Sequence, residues 1–147
     1  MPNISQFKNV FFDRDKVLKS LDKAVGKNMK KFGAYVRRSA KSSIRKRKKS
    51  SPPGKPPRNV TGKLKDFIFF GYDQSKKTVI IGPAGFEDKP NRPPELLEHG
   101  GIVVRPKRRR GKGQEQITYT YGGNPFMVPA RDKELPKFME SMKDSMR

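Results

Sequence analysis

LKSLDKAVGKNMKKFGAYVRRSA, residues 18–40, decides the fold. Apolar side chains recur at Leu18, Leu21, Val25, Met29, Phe32, Val36 and Ala40, close to the 3.6-residue turn of an α-helix. No proline falls between Asp13 and Ser51, so nothing interrupts the pattern. Asp13 or Asp15 can cap the N-terminal end. The periodicity predicts one long helix within residues 13–46; some thirty residues give about 45 Å at 1.5 Å per residue. Gly26 and Gly33 each weaken it by roughly 1 kcal/mol relative to alanine unless packing requires them.

The polar face of this helix is almost purely cationic: Lys23, Lys27, Lys30, Lys31, Arg37, Arg38, Lys41 and Arg45, with no acid between Asp22 and Asp66. It lacks the acid–base i,i+4 pairs that usually lace a solvent-facing helix, although its basic end suits the C-terminal macrodipole. A charge run is ordinarily a solvated face, but here it belongs to a chain with 35 basic and 14 acidic residues, net +21. Such an excess opposes compaction, so a polyanion or an acidic protein surface is expected to neutralise part of it.

The 147 residues suit a single domain. The apolar fraction is 32%, low for a globular chain even with glycine added, which predicts a modest core carrying long polar excursions. There is no cysteine, which excludes disulfide frameworks and thiolate metal sites. No apolar run reaches the length of a membrane span, and residues 1–12 lack the apolar core of a secretory signal. The expectation is a soluble protein made in the cytoplasm, with no membrane partner.

Outward from the helix, residues 1–12 read as an N-terminal docking arm. Residues 47–61 form a basic arm whose four prolines (52, 53, 56 and 57) exclude helix and favour extended, partly polyproline-like chain. Residues 62–129 read as an antiparallel sheet: LKDFIFFGYD and KTVIIGP joined by a turn around Asp73–Lys76, then GIVVR (101–105) and QITYTY (116–121) flanking a basic loop at 105–116. In the first strand Ile68 and Phe70 face one way and Phe67 and Phe69 the other, so one face covers the helix and the other meets a second layer or a subunit. PELLEHGG is a helical turn closed by glycine. Residues 130–147 form a short C-terminal helix with Leu135, Phe138, Met139 and Met142 on one face and Pro136 near its first turn. The class is α+β: a long N-terminal helix on a small antiparallel sheet, with a short helix at the end.

Catalytic chemistry is sparse. His99 is the only histidine, which defeats the usual His-based metal sites, and followed by two glycines it reads as a capping or interface residue. Adjacent Glu98 and His99 point apart on a helix or strand, a poor acid–base pair. Gly54, Thr61, Gly62 and Lys63 invite a phosphate-loop reading, but the glycine spacing is wrong, Leu64 follows the lysine and a strand follows rather than a helix. Asp66, Asp73, Glu87, Asp88 and Glu95 are scattered over turns and strand ends and make no nuclease constellation. No enzyme activity, cofactor or metal is expected.

IRKRKKSS (44–51) and PKRRRGKG (106–113) meet the electrostatic condition for phosphate binding. No module for reading bases accompanies them, so nucleic-acid contacts would be of backbone type, salt-sensitive and indifferent to sequence. A dedicated non-specific nucleic-acid-binding protein is therefore one reading of the chain.

A second reading comes from the order of segments: AYVRRSAKSSIRKR, a proline-rich arm, TGKLKDFIFF, VIIGP, ELLEHGG, a basic loop and NPFMVPARDKELPKF. This order resembles the tail-completion (neck) proteins, or minor tail components, of long-tailed bacteriophages over residues 13–142. Three motifs carry the resemblance: Thr61–Gly62–Lys63–Leu64, Leu97–Glu98–His99–Gly100, and Pro125–Phe126–Met127–Val128–Pro129–Ala130 before the last helix. The arm and the 105–116 loop are longer and more basic than the family pattern, so their roles do not carry over. The resemblance implies a virion structural protein of the neck: a homo-oligomeric ring of six copies around the DNA path, between the head-side connector and the tail-tube or tail-terminator proteins. On this reading Arg45, Lys46, Arg47, Lys48, Lys49, Lys55, Arg58, Arg105, Lys107, Arg108, Arg109, Arg110 and Lys112 are candidate DNA-facing or assembly contacts. Gly62, Leu64, Glu98, Gly100, Pro125, Phe126 and Pro129 carry structural roles of the motifs.

Overall fold

The computed structural model describes residues 14–46, 49, 51–58, 62–86, 93–107 and 115–145. The expected arm at 1–12, Asp13, Arg47, Lys48, Thr61, Glu87, Asp88, Arg108, Arg109, Arg110 and Lys112 lie outside these described residues.

Helix α1 spans Arg14–Ser43, with Asp15 in its first turn and Lys41 in its last. It ends three residues short of the expected boundary because Ile44 drops into the core and Arg45 leaves the helix to form a parallel β-bridge with Arg58. Its inward face is built from Val36 and Ala40, with Phe32 packed against them. At the other end Val17 and Leu18 are exposed, so the apolar stripe is buried only along the C-terminal half.

Both helix glycines are close-approach points. A Cβ on Gly33 would sit 2.6 Å from Cδ2 of Phe70 and 2.8 Å from Cγ2 of Val79; one on Gly26 would sit 3.3 Å from the Tyr72 hydroxyl. The loss in helix propensity is what lets the first hairpin lie directly on the helix.

That hairpin does not begin where alternation alone places it. Gly62, at φ 84°, starts a one-turn helix α2 (Lys63–Asp66), and the Lys65 and Asp66 amides donate to its carbonyl. The turn drives Leu64 into the core, and strand β1 starts only at Ile68 (Ile68–Asp73). It pairs antiparallel with β2 (Thr78–Pro83). Asp73 Oδ1 accepts from the Ser75 and Lys76 amides, which fixes the tight turn. Ile68, Phe70, Tyr72, Val79, Ile81 and Pro83 share the face on α1, while Phe69 and Ile80 stand exposed on the other.

Helix α3 (Pro93–His99) leads into a second hairpin, β3 (Gly101–Lys107) with β4 (Glu115–Tyr121). The α+β class holds, but the strands divide into two sheets of two rather than one. Val103 is buried, whereas Ile102 and Val104 on the opposite face are exposed.

Helix α4 spans Met127–Asp144 and so starts earlier than expected, taking Pro129 into its first turn and leaving Pro136 in its interior. Pro136 is exposed there, so the backbone bond it forfeits is lost on the solvent side. The four expected apolar positions lie on one side of the helix, but that side does not all pack inward. Phe138 meets Phe32 ring to ring at 4.7 Å, while Leu135 and Met139 point outward. The buried positions are Ala130 and Glu134, and α4 runs antiparallel along α1, tied by Ser39 Oγ donating to Glu134 and by Asn28 Nδ2 donating to the Ser141 carbonyl. The central cluster is small: Val36, Ala40, Ile44, Leu64, Ile68, Phe126 and Ala130.

Candidate nucleic-acid interface and motif junction

Helix α1 is covered on two sides, by the first hairpin and by α4, and this leaves a third side to solvent. Lys23, Lys27, Lys31 and Arg38 stand exposed along that side and Lys41 is half-buried; among the described residues no carboxylate lies within ion-pair distance of any of them. Asp22 is turned away toward the hairpin tip, where Lys77 Nζ donates to its Oδ1 at 2.6 Å. That hydrogen bond and the Asp22 charge hold the Lys77 ammonium above its ordinary pKa. Lys30 leans over the Tyr72 ring, 5.5 Å from its centroid. Arg37 was expected on the cationic face but is not there. Its Nε donates to the Ile68 carbonyl at 2.8 Å, and its guanidinium lies over Phe69.

The stripe works against the helix. Lys19–Lys23, Lys23–Lys27 and Lys27–Lys31 are i,i+4 neighbours, and Lys27–Lys30 and Arg38–Lys41 are i,i+3 neighbours. Each like-charge pair destabilises a helix by roughly 0.2–0.5 kcal/mol. The two covered sides keep α1 folded regardless.

At the end of α1 the cations continue. The Arg45–Arg58 bridge sets two arginines side by side, and with Lys55 and Ser42, Ser43 and Ser51 they line a cleft of about 320 Å³. A second depression of about 440 Å³ gathers Arg37, Arg38, Lys41 and Lys65 beside Tyr35. Lys46 and Lys49 are exposed, as is Arg105 on β3; Lys107 is placed by its backbone at the end of that strand. The structure therefore gathers Arg45, Lys55 and Arg58, but it does not bring Arg105 to them.

The three sequence motifs meet elsewhere. Glu98 reaches from α3 across the start of α4: Oε2 accepts from the Phe126 and Met127 amides at 2.9 and 3.1 Å, and Oε1 from the Val128 amide at 2.9 Å. These are the orphan donors of a helix N-terminus, satisfied by a carboxylate 28 residues away in sequence. Gly100, at φ 75°, lets the chain turn under this cap; a Cβ there would lie 2.7 Å from the Tyr121 carbonyl oxygen. Phe126 fills the core beside Leu64, and Pro125, half-buried, precedes it.

Asn124, next to this junction, was not anticipated from the sequence. Its amide donates to the Leu97 carbonyl, and its Nδ2 donates to the carbonyls of Pro52 and Lys55 at 2.6 and 2.7 Å. Gly54 donates to the Gly123 carbonyl, and Pro57 is buried. The proline-rich arm is thus folded back onto the subunit along 51–58. Asn28 and Glu134 were also missed; Asn28 sits within the helical spacing of the apolar stripe, a polar residue where the pattern calls for a core position.

An open groove of about 590 Å³ beside the junction is lined by Pro83, Phe86, Pro94, Glu95, Glu98, His99, Phe126 and Met127. Glu98 and His99 both border it, but the Glu98 oxygens are engaged by the three amides, which leaves no acid–base pair. Among the described residues no group of three or more His, Asp or Glu could hold a metal ion, and no helix is long and apolar enough to cross a membrane. Comparison of the chain with protein-family models, with curated proteins and with solved structures finds no match.

Proposed function

We propose that the protein is a structural component of a bacteriophage neck, a tail-completion or head–tail joining subunit without catalytic activity. It acts as a homo-oligomeric ring, of six copies, around the path of the genomic DNA in the virion. The observation that carries the reading is the junction at Glu98. Two of the three motifs on which the resemblance rests interlock there through three hydrogen bonds, and Leu64 of the third packs with Phe126 in the same core. Residues that only look alike along the chain thereby have a shared structural reason for their spacing. The small core and the exposed Phe69, Ile80, Ile102 and Val104 support a subunit completed by neighbours. Genomic DNA would then be a non-specific, passing partner, and the head-side connector and tail-tube proteins the specific ones.

Electron microscopy and native mass spectrometry of the purified chain, alone and with phage tail tubes, test this. A closed ring or a cap on the tube end is the expected result. A monomer at high concentration that ignores tubes overturns it. The cationic side of α1 favours the second reading, a dedicated non-specific nucleic-acid binder, which predicts tight duplex binding by the monomer itself.

A further inference from the structure

We infer that the uncovered side of α1, from Lys23 to Lys41, is the surface that meets nucleic acid, and that it lies against the phosphate backbone of a duplex. The inference goes beyond the neck reading and does not need a ring.

Shape and charge carry it together. The stripe runs about 27 Å along α1, the rise of roughly eight base pairs. Lys23, Lys27 and Lys31 follow one another at intervals of about 6 Å, and Arg38 and Lys41 extend the row. The positions between them are small, Ala24 and Ala34, with Ser20 and Ser42 at the two ends, so the helix can approach a backbone closely. The row ends at the Arg45, Lys55 and Arg58 cleft, which continues the positive surface past the helix terminus.

Three features select a duplex among polyanions. A duplex carries one charge per roughly 1.7 Å, so every cation of a rigid row finds a phosphate without a fixed register. An acidic protein would need carboxylates placed to match each lysine, and no interleaved acid or polar residue on the stripe provides such a register. Single-stranded nucleic acid is held chiefly by stacking on aromatic rings; among the described residues Tyr35 and Tyr72 border the row, and the Tyr72 ring is already taken up by Lys30 and Gly26. The cations named before from sequence runs, such as Arg105, are not on this side-chain row; the assignment places the main contact on a helix face that looks like ordinary solvated surface.

The test uses the full chain and a fluorescent 30-base-pair duplex, with anisotropy titrations between 50 and 200 mM salt. One variant replaces Lys23, Lys27, Lys31 and Arg38 with glutamine; its control replaces Arg131, Lys133, Lys137 and Lys143 on α4, which removes the same net charge. Circular dichroism melts establish that both are folded; glutamine keeps helix propensity near that of lysine. The α1 variant should lose about 3 to 4 units of log–log salt slope, at roughly 0.9 per phosphate, and bind about 100-fold or more weaker than the control at 100 mM salt. If an α1 variant fails to fold, the double Lys27→Gln, Lys31→Gln variant should still lose close to 2 units. Equal losses in the α1 and α4 variants, or no duplex binding by the wild type, overturn the inference. So does a single strand of equal length binding as tightly, or polyglutamate displacing the duplex at equal charge. Ring formation is read separately, so an α1 side indifferent to DNA leaves the neck reading standing, and the reverse also holds.

Discussion

Replacing Glu98 tests whether the motif junction holds the subunit together. Its carboxylate satisfies three consecutive amides at 2.9, 3.1 and 2.9 Å at the start of α4. Glu98→Gln keeps the shape and one acceptor oxygen but removes the charge facing the helix dipole, about 0.3–1 kcal/mol, and turns an N–H toward Val128 as a second donor. The expected loss is about 1–2 kcal/mol. Glu98→Ala removes the cap outright, about 0.5–2 kcal/mol, and leaves the Phe126 amide, in part-buried surroundings, without an acceptor, about 1–3 kcal/mol more. Together these span about 1.5–5 kcal/mol, and a middle value of about 2–4 kcal/mol is expected. At this chain length 1 kcal/mol moves Tm by about 4 °C, so the two variants should melt about 4–8 and 8–16 °C below wild type. Circular dichroism at 222 nm reads the shift, and hydrogen exchange at the Phe126–Val128 amides localises it. If Glu98→Ala melts within 2 °C of wild type, the cap carries no weight and the argument that the motifs interlock for stability fails.

Other perturbations have opposite signs at similar positions. Gly33→Ala gains about 1 kcal/mol of helix propensity, but its Cβ meets Phe70 and Val79, and an overpacking cost of about 1–3 kcal/mol makes the net effect destabilising by chemical denaturation. Gly26→Ala meets only the movable tip of Tyr72 and should be neutral to slightly stabilising in the same assay. Asn28→Ala removes the donor to the Ser141 carbonyl and Ser145 hydroxyl, with an expected loss of about 1–2 kcal/mol and fraying of the last turn of α4 in hydrogen exchange. The Lys77 ammonium is held above its ordinary pKa by Asp22, so the tie between hairpin tip and α1 is fully present below the unfolded value. It is lost as pH rises through the folded one, in a window above about pH 10.4; Lys77→Met should erase that alkaline limb of the stability curve.

The long helix was legible because its apolar spacing persists for six turns without a proline, and the glycine closing α3 was legible from its sequence neighbours. Hairpin β1–β2 was legible from Asp73 and the apolar runs beside it, though not the helical turn before it. Leu64 and Asp66 fit a strand alternation as well as a turn, and only the left-handed Gly62 decides between them. The division into two sheets was hidden because strand pairing is a non-local choice that alternation does not encode. The inward face of α4 was misread for a related reason: Glu134 and Ser141 are polar yet face α1, because Ser39 and Asn28 offer them hydrogen bonds. Arg37 counted as surface charge until Phe69 and the Ile68 carbonyl supplied a place for it. A structural role for Glu98 came from the resemblance alone, and its partner amides, being backbone, leave no trace in residue type.

Asn124 has a consequence for how the chain is made. The bend at Pro52–Lys55 is held by acceptors and donors 69 to 72 residues further on, and α1 waits for Ser141, 113 residues after Asn28. During synthesis the ribosome therefore releases a helix and an arm whose fasteners do not yet exist. The subunit can close only when its last helix has emerged, so a truncated product is left with an open seam rather than a smaller version of the fold.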